Sequence, residues 1–333
     1  MPETRYDVLA IGNAIVDIVA HAEDDFLVNQ GLTRGSMRLI DANEADRLYD
    51  LMGPAIETSG GCAGNTAAGV ASFGGNAAFI GKVADDQFGK LYTHDMRAIG
   101  VAFDTGPLAG GAPTARSMIL VSPDGERTMN TYLGACQNLT SADIDRDTVA
   151  AAAIVYLEGY LWDPPQAKDA FRCAAEFAHD AGRQVSLTLS DSFCVDRFRE
   201  EFLGLIRDRT VDILFANESE VRALYQTADF ETGVHALQKD CRIAAVTMGA
   251  EGALVVTHDG VRRVSATPVE TIVDTTGAGD LFAAGFLFAH ARGMSLTDAA
   301  RLGTVAAAEV IGHVGARPAV SLADLARQSG FEL

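Results

Sequence analysis

The sequence is poor in basic residues, in cysteine and in unbroken apolar runs, and each shortage removes a class of function. Lys and Arg number 26 against 45 Asp and Glu, a formal net charge of −19 over 333 residues. A nucleic-acid surface needs clustered cations to replace the counterions of the phosphate backbone, so a nucleic-acid partner is not expected. An acidic chain also repels anionic ligands at long range, so any such ligand must be held by local donors. The five cysteines, Cys62, Cys136, Cys173, Cys194 and Cys241, are odd in number and form no CxxC pair. Neither a disulfide framework nor a zinc site is expected, and a reducing cytoplasm fits. The seven histidines show no metal-ligand spacing such as HExxH. The polar stretch 1–7 has no signal-peptide pattern. No apolar run is long enough to span a membrane, since Asp280 interrupts the best region, 278–289.

What is present is material for a core, 48% hydrophobic residues, arranged in two alternating patterns. Short apolar runs at 7–12, 77–81, 154–158, 185–189, 213–216 and 244–248 read as buried strands. Helical periodicity occupies 87–99, 167–181 and 218–225, with a late helical pair at 278–292 and 296–311. Strands alternating with helices imply an α/β fold, a mostly parallel central sheet with helices on both faces. Segments 15–21 with 36–41, and 115–121 with 127–132, break the rhythm because no helix is expected between their strands. The second is a hairpin turned by Pro123-Asp124-Gly125. A small antiparallel sheet interleaved with one domain spanning 1–333 is the expected arrangement.

The segment Asp274-Thr275-Thr276-Gly277-Ala278-Gly279-Asp280 runs straight into an apolar helix. Free N–H groups at a helix start, with the positive end of its dipole, make an anion site, and glycine lets phosphate oxygens approach closely. Asp280 would repel the anion but could accept a proton from a hydroxyl attacking phosphorus. The plain alternative is a tight turn with Asp280 as a helix cap. A second glycine series, Ser59-Gly60-Gly61-Cys62-Ala63-Gly64-Asn65, also precedes a small-residue helix, and close helix–sheet packing explains it equally. Asn217 and Glu220 follow an apolar strand at a spacing of three. They could hold water around Mg²⁺, or form a capping box. Thr247, Gly249 and Gly252 could approach nucleotide phosphates or simply turn the chain. Asn13 and Asp17 are polar in an apolar setting and could read a diol, or cap a loop. A P-loop is excluded, because Asn76 and Val83 stand where it needs Gly and Ser or Thr. No GxGxxG follows the first strand, which disfavours a nicotinamide enzyme.

Taken in order, these segments resemble the ribokinase-like (PfkB) family of carbohydrate and nucleoside kinases. Residues 274–280 look like its DTxGAGD signature, 60–89 like its N-terminal glycine signature, and Asn217-Glu218-Ser219-Glu220 like its NxxE magnesium motif. The stretches 7–17 and 125–135 look most like the bacterial adenosine kinases of the family. The resemblance implies a β-sheet lid, Asp280 as base, and Gly277, Ala278 and Gly279 as the anion hole. It places Asn13, Asp17, the Gly61 backbone and Asn65 on ribose hydroxyls, and Arg127 on the lid near the phosphates or the acceptor. Thr247 and Gly249, with Gly252, would lie near ATP beside Asn217, and Glu220 would meet Mg²⁺ through water. A monovalent cation such as K⁺ near the C-terminal loop is a further family feature. Ile15, Tyr160 and Trp162 could offer surface to a purine, or Tyr160 and Trp162 could simply close the core. The expected reaction is transfer of the γ-phosphoryl group of ATP to the 5′-hydroxyl of a nucleoside, adenosine to AMP. A sugar kinase acting on ribose or a fructose derivative is the alternative within the family, and a non-catalytic nucleotide sensor the alternative outside catalysis. The expected partners are a small-molecule acceptor and ATP, the expected assembly a monomer or homodimer.

Overall fold

A computed structural model describes residues 4–333. Nine strands form the main sheet: β1 (Tyr6–Ile11), β5 (Ala77–Ile80), β6 (Val101–Ala102), β9 (Ala152–Glu158), β10 (Gln184–Thr188), β11 (Ile213–Asn217), β12 (Ile243–Thr247), β13 (Ala253–Thr257) and β14 (Gly260–Val264). Their order is β14-β13-β12-β11-β10-β9-β1-β5-β6. All neighbours are parallel except β12–β13 and β13–β14. The apolar runs bury both faces, as a sheet covered on two sides requires. Along β1, Val8 and Ala10 enter one core while Leu9 and Ile11 enter the other. The first core is covered by helices Cys62–Ser72, Ala278–Ala291 and Leu296–Val310. The second is covered by Pro165–Asp180, Ser192–Arg207, Glu218–Tyr225 and Phe230–Asp240.

β1 lies inside this sheet, third from one edge; the chain builds outward from it through β5 and β6, then returns to lay β9 on the other side of β1. Strand order therefore reverses between β1 and β9, and the crevice at the carboxyl ends of such a pair is where open α/β sheets bind ligands.

A second sheet stands over that crevice. It contains β2 (Ile15–His21), β3 (Met37–Leu39), β4 (Ile56–Ser59), β7 (Ala115–Val121) and β8 (Arg127–Tyr132), in the order β3-β8-β7-β2-β4. The hairpin expected from Pro123-Asp124-Gly125 is there, with β7 and β8 antiparallel and Gly125 at φ +88°. The expectation of a wholly antiparallel lid is corrected. β2 pairs parallel with β7, and β3 parallel with β8. The lid strands arise from separate excursions of the chain, so they meet through long connections rather than tight turns. A short helix, Asp24–Asn29, also lies between β2 and β3 where none was expected. β4 was missed because its four residues alternate too briefly to register.

Candidate active site

The site forms where the first turns of two helices converge under the lid. Helix Cys62–Ser72 is rich in Ala and Gly, and helix Ala278–Ala291 packs directly on it. A Cβ on Gly69 would lie 2.5 Å from Ala284 Cβ, which cannot swing aside, so glycine is what permits this approach. The result brings residues from opposite ends of the chain into contact. Asn65 Nδ2 donates to Asp280 Oδ2 at 2.9 Å, and Thr66 Oγ1 to the Asp280 carbonyl at 3.1 Å. The Asn65 Oδ1 atom is buried and has no hydrogen-bond partner, so it is an acceptor awaiting a donor.

Gly277 caps the second helix at φ +79°, and a Cβ there would lie 2.7 Å from Ala316 Cβ. Glycine is thus required by both backbone angle and space. Thr276, Gly277, Gly279 and Asp280 line a cleft of about 1060 Å³. Ala278 is not among its lining residues, and its N–H is taken up by the Thr275 carbonyl at 3.2 Å. Gly277 and Gly279 both line the cleft, so the backbone at these two positions is open to a ligand there. Asp274 braces this turn, accepting from Thr276 N and Gly315 N, both at 3.0 Å.

At the reversal point the end of β1 is joined to the end of β9. Asn13 Nδ2 donates to Glu158 Oε1 at 2.6 Å, while Asn13 N and Ala63 N donate to Oε2. Glu158 was not anticipated. Its signal was a lone acid closing an apolar strand at the ligand-binding edge of the sheet. Burial pushes its carboxyl up to about 7 despite these donors. Burial likewise raises Asp280 to about 6, against the hydrogen bonds from Asn65 and Cys62 and the charge of Arg317. Asp17, which also lines the cleft, is raised to about 6 by burial, against the charges of Arg317 and Arg127.

Asn13, Ile15, Asp17, Gly61, Asn65, Tyr160, Asn217, Glu220, Thr247, Gly277, Gly279 and Asp280 all line this one cleft. Five of the anticipated residues are placed elsewhere. Ala278 is turned aside as described. Trp162 is fully buried with its indole N–H on Glu201, and belongs to the core. Gly249 and Gly252 turn the chain between β12 and β13 at φ +56° and +94°, outside the cleft lining. Arg127 points from the lid onto Asp274, Nη2 to Oδ2 2.7 Å, a pair nearly closed to solvent. Its Nε and Nη2 nonetheless lack hydrogen bonds of good geometry.

Asn217 and Glu220 form a reciprocal capping box, with Asn217 Oδ1 accepting from Glu220 N, and Glu220 accepting from both Asn217 N and Nδ2. Burial pushes Glu220 up to about 7. Among the described residues no cluster of three His, Cys, Asp or Glu could cage a metal ion. Tyr160 is held by its N–H on Ser190 Oγ and its hydroxyl on Asp191, and Ser190 itself sits in the left-handed region at φ +72°. Arg317, also unanticipated, carries no local sequence signal. Its guanidinium caps the carbonyls of Ser59 and Gly64.

A glycine-capped helix start set beside a carboxylate, at the reversal point of an α/β sheet and under a β lid, is the arrangement that phosphoryl transfer calls for. Comparison with known families matches residues 47–322 to the pfkB family of carbohydrate kinases. The chain belongs to that family and is a phosphotransferase. It is similar to the adenosine kinase from Sinorhizobium meliloti, at 58% identity and a TM-score of 0.91, covering 98% of this chain and 100% of that one. It is similar also to a probable sugar kinase protein from Rhizobium etli CFN 42, at 54% identity and a TM-score of 0.92, covering 98% and 99%. The adenosine kinase of Saccharomyces cerevisiae is 28% identical over 92% of this chain and 95% of its own length. A probable chloroplastic fructokinase-6 of Arabidopsis thaliana is 32% identical over 71% of this chain, a match spanning 63% of the plant protein. Among the described residues no helix is long and apolar enough to cross a membrane.

Proposed function

We propose that this chain transfers the γ-phosphoryl group of ATP to the 5′-hydroxyl of a nucleoside, with adenosine the first acceptor to test and AMP the product. The observation that carries the transfer chemistry is the Asp280 carboxylate, fixed by Asn65 beside Gly277 and Gly279. The acceptor oxygen attacks phosphorus, the bond to the β-phosphate oxygen breaks, ADP leaves, and the hydroxyl proton passes to Asp280. The Gly277 and Gly279 N–H groups face the charge on the transferring phosphoryl oxygens, where preformed donors act most strongly. Asp17 and the open Asn65 Oδ1 would accept from ribose hydroxyls, with Asn13 held in place by Glu158. Ile15, Tyr160 and the exposed Phe193 give the same cleft an apolar and aromatic wall that suits a purine better than a free sugar.

Mg²⁺ would enter with ATP and neutralise phosphate charge. With no three-ligand cage among the described residues, it fits a site made by phosphate oxygens and water, with Glu220 and Asn217 contacting the water. The buried Oε2 of Glu309 lacks a hydrogen-bond partner, while Oε1 of that side chain accepts from Ala319 N and Val320 N on the C-terminal loop. This supports testing a monovalent cation such as K⁺.

The second reading is a sugar kinase, favoured by the similarity to the Rhizobium etli protein. Turnover with Mg-ATP and a panel of adenosine, other nucleosides, ribose and fructose decides between them, with thermal shift as the parallel readout, since a ligand bound to the native state alone raises apparent stability. Turnover of sugars but no nucleoside overturns the adenosine assignment, and binding without turnover overturns the enzyme.

A further inference from the structure

Three consecutive residues of the C-terminal loop each touch a different part of the site. Gly315 N donates to Asp274, which braces the anion-binding turn. Ala316 abuts Gly277, the glycine at the mouth of that turn. Arg317 turns to the other wall. Its Nε and Nη2 donate to Ser59 O at 3.1 and 2.9 Å, its Nη1 to Gly64 O at 2.7 Å, and Nη2 lies 3.2 Å from Ser59 Oγ. A guanidinium presents its donors in a rigid plane, so four contacts fix the 59–65 segment as a unit. That segment carries the acceptor side of the site. Gly60 lies against the Asp17 carboxylate so closely that a Cβ would collide with it, and Asn65 holds Asp280.

We infer that Arg317 is a positioning residue that registers the acceptor-holding segment 59–65 against the anion-binding turn at Gly277. It touches neither substrate nor the reacting atoms, and acts through Ser59, Gly64 and the field at the two carboxylates. Asp280 accepts from Asn65 and Cys62 on the first helix, the charge of Arg317 on the loop lowers its carboxyl, and its own charge raises Glu158 at the end of β9. The charges of Arg317 and of Arg127 on the lid lower the Asp17 carboxyl, and that of Asp280 raises it. Arg317 is thus the cation common to both carboxylates. The inference rests on the kinase reading above.

The test compares wild type with Arg317→Met and Arg317→Lys, using Mg-ATP and whichever acceptor of the nucleoside and sugar panel the wild type turns over, from pH 5.5 to 9. Loss of the charge in Arg317→Met should move the acid limb of kcat/KM up by about one pH unit, the lower end of what an opposite charge at close range does. Arg317→Lys keeps the charge but cannot span both carbonyls, so its acid limb should stay within about 0.3 unit of wild type while KM for the acceptor rises roughly tenfold. An unmoved limb in a folded Arg317→Met, or an unchanged KM in Arg317→Lys, overturns the inference. If Arg317→Met fails to fold, the KM and limb of Arg317→Lys decide alone. A wild type that turns over no acceptor defeats the kinase reading instead, so the two failures are separable.

Discussion

Asn65 Nδ2 donates to Asp280 Oδ2 over 2.9 Å, joining two helix starts that lie 215 positions apart in the chain. The contact fixes the Asn65 amide as donor on that side and leaves its Oδ1 facing away without a partner. It also fixes the carboxylate oxygen that Asn65 engages, Oδ2, and so the orientation in which Asp280 meets the cleft.

Asp280→Asn should therefore leave ATP binding within a few-fold of wild type while lowering kcat by roughly 10²–10⁴, the range for a lost general base. Binding is read by calorimetry and turnover by a coupled ADP assay. Near-normal turnover in a folded variant would remove Asp280 from the catalytic step.

Activity and stability should run in opposite directions with pH. Asp17 and Asp280 are raised from 3.8 to about 6, and Glu158 and Glu220 from 4.5 to about 7, all chiefly by burial. A raised carboxyl pKa means that the native state binds the proton more tightly than the unfolded state. The stabilisation is complete below about pH 4 and is lost as pH rises through 6 to 7. Activity needs ionised Asp280 and should rise across the same interval. Urea denaturation at pH 5.5 and 8 should give the lower stability at pH 8 for wild type. Asp280→Asn should recover about 1–3 kcal/mol at pH 8, from a shift of roughly two units at 1.36 kcal/mol each. A wild-type stability that is flat or rising over this interval would contradict the account.

The sequence carried six of the nine strands of the main sheet and five of its helices to within two residues, because buried parallel strands announce themselves as continuous apolar runs. The two-residue β6 and the antiparallel strands β13 and β14 at one edge were not bounded. It also carried the chemistry of 274–280, where glycines and a carboxylate sit together in sequence. What it could not carry was long-range pairing. The parallel partners of β2 and β3 are set by where three separate excursions of the chain meet. The placement of Arg127 on Asp274, rather than in the cleft, is decided by the lid's docking. Arg317 has the same character, since its partners lie more than 250 residues away and nothing near it in sequence marks its role. Asn217 and Glu220 show the converse case. The capping box read from their spacing is formed, and it also directs both side chains to the rim of the cleft.

The two cleft glycines should respond differently to alanine. At Gly277 the positive φ and the 2.7 Å approach to Ala316 oppose a methyl group, so Gly277→Ala should cost about 1–2 kcal/mol from the backbone angle alone. Gly279 meets nothing within 4 Å and has no positive φ. Gly279→Ala should fold normally and fail only in turnover, because its methyl group stands where phosphate oxygens approach. Thermal denaturation beside a rate assay separates the two. A destabilised Gly279→Ala, or a Gly277→Ala as stable as wild type, would count against this geometry.

Glu220→Gln should raise the Mg²⁺ concentration for half-maximal rate several-fold with little loss of helix stability. Gln serves at this position of a capping box, so the cap survives, whereas the charge that orients metal-bound water does not. An Mg²⁺ titration of the variant gives the answer, and an unchanged midpoint would confine Glu220 to its cap.

Asp17 tests the acceptor itself. Its carboxylate lines the cleft beside Gly60, with two oxygens available to two vicinal hydroxyls. Charge-assisted hydrogen bonds are about twice as strong as neutral ones, so Asp17→Ala should cost adenosine about 1–3 kcal/mol or more in kcat/KM. An analogue lacking the 2′-hydroxyl already forgoes part of that interaction and should lose less on the same substitution. The four combinations of enzyme and nucleoside form a double-mutant cycle, and a coupling of 0.5 kcal/mol or more, at the low end for groups in contact, marks direct recognition. Simple additivity would mean that Asp17 does not read the 2′-hydroxyl. Since burial raises Asp17 to about 6, the coupling should also fade as pH falls below that value and the carboxylate gains a proton. A coupling that persists unchanged at pH 5 would transfer the recognition to a group that does not titrate there, with Asn65 Oδ1 the acceptor next in line.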